Sequence, residues 1–150
     1  MPRETRLFVK TGMLYLGLTF AFGAVLTVLE AIGRPAPFIV TVEHGHLGFV
    51  GWLVNVVIGV ALWMFPLDRV SFPATQGRYT LAGTGWCYVL LNVGLPLRII
   101  SEPWVQSGGG AFAGSLLVVS GIMQLCAVLI FISIAWRRVR APARPAPGVS

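Results

Sequence analysis

The sequence predicts an all-α integral membrane protein, a bundle of four transmembrane helices, from three observations. Hydrophobic residues make up 56% of the 150-residue chain and charged residues 11%, against roughly 25% charged in soluble proteins. Four stretches carry no Asp, Glu, Lys or Arg: Thr11–Leu29, His44–Leu67, Tyr79–Leu97 and Pro103–Trp136. Each is close to or beyond the roughly 20 residues a helix needs to cross a bilayer. The basic residues gather at the ends of these stretches, where headgroups meet water.

Taken in order, a short basic head (MPRETRLFVK) leads into a first span over about 10–32. Thr11–Leu29 outruns the roughly 7–15 apolar residues of a signal peptide and no A-x-A site follows, so the segment is expected to stay on the chain. Gly33-Arg34-Pro35-Ala36-Pro37 makes a short, rigid loop, and a second span covers 40–66, closing at Pro66. Asp68, Arg69, Pro73 and Gly77 mark a polar turn before a third span over 79–100. Glu102-Pro103 and Ser107–Gly110 form the next loop, and the fourth span covers 111–136. Residues 1–136 thus form one transmembrane domain, followed by a basic tail, 137–150, rich in Pro and Ala and read as disordered.

Nine of the eleven Lys and Arg residues fall on one side of this arrangement, leaving Arg34 and Arg98 on the other. The positive-inside rule then places both termini in the cytoplasm of a bacterial-type inner membrane. A net charge of +6 does not indicate nucleic acid, because Arg137, Arg138, Arg140 and Arg144 form a stop-transfer cluster suited to anionic lipid. No stretch remains for a water-soluble catalytic domain. The two cysteines, Cys87 and Cys126, lie inside spans and read as packing residues rather than a bridge.

The second span carries the chemistry. Both histidines, His44 and His46, sit at its outer end, and ionisable groups in a span are candidates for function. At 3.6 residues per turn, positions i and i+2 diverge by about 200°, so on a regular helix the two imidazoles face opposite sides and cannot share a metal. Gly48, Gly51, Asn55 and Gly59 follow His44 down one stripe, while Phe49, Leu53, Val57 and Val60 lie beneath His46. A glycine stripe admits either a neighbouring helix, the commoner cause, or a flat macrocycle. Asn55 at mid-depth calls for an interhelical hydrogen bond. Arg34 and Arg98 share the histidines' side and suit anionic groups such as propionates, or balance Glu30, Glu43 and Glu102. Met13, Met64 and Met123 lie away from the histidines and read as core packing; the five tryptophans read as interface anchors or packing.

The segment Thr41–Pro66, with His44, His46, Gly51, Trp52, Gly59 and Pro66 at set spacing, resembles one helix of the catalytic subunit of haem–copper oxidases. It looks most like the C-type cytochrome c oxidases and the nitric oxide reductases. The resemblance implies a haem b cofactor, one or two per chain or shared in a dimer, with His44 facing a gas-binding haem and His46 an electron-transfer haem. The chain has no further histidine for the family's copper site, so it is not expected to act as an oxidase on its own.

The leading expectation is therefore a small haem-binding membrane protein in respiratory electron transfer or in oxygen or nitric oxide handling. It would meet membrane lipid and a second copy of itself, or respiratory-complex subunits. The alternative is a cofactor-free structural or accessory subunit of such a complex. A transporter lined by Asn55, Asn92 and Gln124 ranks last, because no intramembrane carboxylate is expected to couple it to protons.

Overall fold

A computed structural model describes residues 1–139, and among these the chain is helical with no strand. Arg140, Arg144 and the rest of the expected tail lie outside the described residues. Four long helices run α1 (Arg3–Ala31), α2 (Phe38–Met64), α3 (Leu81–Gln106) and α4 (Gly110–Arg138). Three of them, α1, α2 and α4, are long and apolar enough to cross a membrane. The third is long, but Thr84, Asn92, Arg98 and Glu102 make it more polar.

The helix ends explain most of the differences from the expected spans. The basic head is part of α1, because Pro2 fits an N-terminal boundary and Glu4 complements the helix dipole in the first turn. Gly33 closes α1 in a left-handed conformation (φ 71°), with Gly33 N donating to Glu30 O and Arg34 N to Leu29 O, the paired bonds of a Schellman motif. The same motif ends α3 at Gly108, where Gly108 N donates to Val105 O and Gly109 N to Trp104 O. Glu102 and Pro103 thus lie on the helix and not in the loop the sequence suggested: a helix inside a bundle tolerates proline when neighbours meet the freed carbonyl.

The second helix is not regular. Its middle, Leu47–Val54, is π-helical, between α-helical Phe38–His46 and Asn55–Met64. Bonds from i to i+5 widen the turn, so the 3.6-residue spacing assumed for the glycine stripe does not hold there. Asn55, the first residue after the stretch, is fully buried and donates its side-chain amide to Gly51 O at 2.8 Å and Val50 O at 3.4 Å.

The first helix packs along α2, and α3 along α4. Phe8 meets Tyr88 edge to face, and Thr11 shares a hydrogen bond with Tyr88. The core, with Phe8, Ile58, Leu62, Cys87 and Leu91 at its centre, sits toward the end of the bundle opposite the histidines. At that same end Tyr79 donates to Glu4, and burial followed by this bond holds its phenol protonated beyond the usual range. Arg138 belongs to this end too. Rather than meeting headgroups, it is 1% exposed and donates to the carbonyls of Leu62, Phe65 and Pro66, closing the C-terminus of α2. Cys87 and Cys126 are both free. Met13 and Met64 face outward instead of packing in the core, and all five tryptophans are exposed.

Candidate functional site

His44 and His46 leave α2 in different directions. His44 faces α1, where its ring packs against Gly23: a Cβ at that position would stand 2.9 Å from His44 Cε1. Phe22 lies edge-on, 6.0 Å between ring centroids. The imidazole lines a groove of about 540 Å³ with Thr19, Phe20, Gly23, Ala24, Leu26 and Thr27 of α1. That volume falls among the roughly 300–1,000 Å³ of small-molecule sites. The threonine hydroxyls of the groove are occupied, Thr19 donating to Tyr15 O and Thr27 to Gly23 O. His44 Nδ1 is buried and unpartnered. The groove is therefore a mostly apolar surface bordered by one imidazole, whose Cε1 edge rests on Gly23 and whose Nδ1 has no hydrogen-bond partner, so the one metal-ligating group its lining offers a flat apolar cofactor is a single ring nitrogen. A slightly larger groove, about 610 Å³, lies among Phe65, Phe131, Ile132, Ala135, Trp136 and Val139 and offers no metal-ligating side chain.

The glycines of α2 do not form the wall of this groove. A Cβ on Gly51 would stand 2.7 Å from Tyr15 Cγ, one on Gly48 3.2 Å from Thr19 Cγ2, and one on Gly59 2.9 Å from Phe8 Cβ. The stripe is the seat of α1, the commoner of the two roles foreseen. Gly23, on the other helix, is the small residue that lets the His44 ring rest against α1. Trp52 is exposed, and its carbonyl lies against Gly12 of α1.

His46 faces α3. Its Nδ1 stands 3.4 Å from Glu43 Oε2, and Glu43 is 2% exposed. Glu102 of α3 completes a cluster whose ligand atoms lie within 4.8 Å of one another. Arg98 Nε donates to Glu102 Oε2 at 2.9 Å. Arg98 thus stands with His46 and not in the His44 groove, and Arg34 sits exposed in the loop that ends α1. Of the expected polar path, Asn92 donates to Asn55 Oδ1 and to Tyr88 O, both at 3.0 Å, while its own Oδ1 has no partner, and Gln124 packs against Gly94.

Glu43 and Glu102 were not foreseen as site residues. The Glu43-x-x-His46 spacing was visible, since i and i+3 share a helix face. Glu102 was hidden because Pro103 suggested a loop there.

No family model, curated protein or solved structure matches the chain.

Proposed function

We propose that the chain is a four-span b-type haem protein of a bacterial-type inner membrane, in which His44 supplies the axial nitrogen to one haem seated in the α1–α2 groove. The observation that carries this reading is the His44 imidazole, its Nδ1 without a hydrogen-bond partner, at the edge of an apolar groove of ligand-sized volume. The resemblance of Thr41–Pro66 to the haem–copper oxidase helix supports it independently. One haem is favoured over two, because the His46 face is filled by α3 and its acidic residues. Haem bound there would supply an iron able to exchange an electron or hold a diatomic gas. The protein's own part is to hold His44 against Gly23, to shield the groove with Phe20, Phe22 and Leu26, and to leave the sixth position to a second copy, a respiratory partner or a gas.

Wild-type protein purified in detergent is expected to show a Soret band at one haem per chain. His44→Ala removes the axial bond and is expected to abolish the band, while His46→Ala keeps most of it. Gly23→Ala, whose Cβ would stand 2.9 Å from His44 Cε1 and push the ring aside, is expected to lower haem occupancy while the helical content is kept. A colourless wild type that also fails to take up added haem would sink the reading. The accessory-subunit alternative would then stand, favoured by the cover that α1 gives Gly48, Gly51 and Gly59 without any cofactor.

A further inference from the structure

A second cluster, on the opposite side of α2 from the haem groove, is incomplete as a set of protein groups. Glu43 is almost wholly buried, yet neither of its carboxylate oxygens has a hydrogen-bond partner, and His46 Nδ1 beside it has none either. A buried carboxylate without a donor is costly. Glu102, the nearest group from α3, is a second carboxylate and repels the first. Arg98 is committed to Glu102.

We propose that Glu43, His46 and Glu102 bind one divalent transition-metal ion, with zinc the ion that fits the donor set. Glu43 and His46 come from one face of α2 at i and i+3, and Glu102 from α3, so the ion would tie the two helices together at this end of the bundle. One imidazole nitrogen with two carboxylate oxygens is a mixed set. It suits zinc and its first-row neighbours, whereas calcium and magnesium take oxygen ligands and copper(I) wants sulfur. Tetrahedral bonds of about 2.1 Å place ligand atoms roughly 3.4 Å apart. His46 Nδ1 and Glu43 Oε2 stand at 3.4 Å. Three protein ligands leave a fourth position open, as in zinc sites that hold water or a substrate. Arg98 orients the Glu102 carboxylate, as outer partners of metal ligands do. The site uses nothing of the haem reading, since His44 belongs to the other face.

The test uses full-length protein in detergent, stripped with a chelator and titrated with zinc, with bound metal counted by atomic spectroscopy and thermal unfolding followed in parallel. Wild type is expected to take one zinc per chain and to gain thermal stability from it. Glu43→Gln keeps the size of the side chain. It is expected to weaken zinc binding at least about tenfold and to lose the zinc-dependent gain, while unfolding without metal at or above the wild-type temperature, because an unpaired buried charge is gone. His46→Gln is expected to weaken binding comparably, and His44→Ala to bind as wild type does. Three results would each overturn the proposal: no zinc retained by wild type above background, wild-type affinity in Glu43→Gln, or an equal loss in His44→Ala. The first would leave a proton between the two carboxylates, or on His46, as what satisfies the cluster.

Discussion

Some polar side chains inside this bundle are answered by a named partner, and others, Glu43 and the two imidazoles among them, are not. Asn55 meets two carbonyls of its own helix and the amide of Asn92. A double-mutant cycle on Asn55→Ala and Asn92→Ala, read by unfolding in detergent, is expected to give a coupling of about 0.6 kcal/mol, and not above roughly 1.7, the range for such bonds between membrane helices. The need for that bond was legible in the sequence, since an Asn at mid-depth in an apolar run has few other outlets. The cluster around Glu43 was less legible. Glu43 alone reads as a counterion for a loop arginine; that Glu102 stands alongside it follows from α3 continuing past Ile100, beyond the expected end of the span. Arg138 illustrates the same limit. A basic residue after an apolar run signals the membrane boundary, and only the packing of α4 against the end of α2 turns it inward.

At the scale of the helix, the α1–α2 pair is decided by small residues. Gly51 and Gly59 of α2 and Gly12 of α1 leave no room for a methyl group. Gly51→Ala must displace the Tyr15 ring, and Gly59→Ala must move Phe8 and Val9 away from their contacts. Each is expected to destabilise the protein by about 1–3 kcal/mol, the usual cost of overpacking, as a lowered unfolding temperature. Gly17→Ala, with open space around it, is expected to leave that temperature unchanged or to raise it slightly. Helix centres were legible from hydropathy, and the closing glycines Gly33 and Gly108 from turn chemistry. The π-helical stretch Leu47–Val54 was not, because no periodicity in the apolar run distinguishes i+4 from i+5 bonding.

For the whole molecule, the described ends fall into register. The start of α1, the end of α2, the start of α3 and the end of α4 are joined at one end of the bundle by the Tyr79–Glu4 and Arg138 bonds, with both histidines at the other. We predict that reporters inserted after Pro35 and after Gly108 are active on the outer side, and that a reporter after Ser150 is active in the cytoplasm. An outer-side signal from Ser150 would reverse the orientation. Self-association, if native mass measurement in micelles shows it, must use a face other than the glycine stripe of α2, which α1 already covers.

The Arg138 cap also ties the end of α2 to the last helix of the chain. The carbonyls of Leu62, Phe65 and Pro66 wait for a side chain more than seventy positions further along the chain. Until α4 is made, those carbonyls are without the Arg138 donor. The last helix therefore closes a joint beside the loop 65–79, and protease access to that loop is expected to report whether the joint is closed. Arg138→Ala is expected to keep that loop in its unfinished state, with faster cleavage between Pro66 and Tyr79 in limited proteolysis of the full chain and a loss of about 1.5–3 kcal/mol of stability. Arg138→Lys, able to reach fewer of the three acceptors at once, should fall between the two.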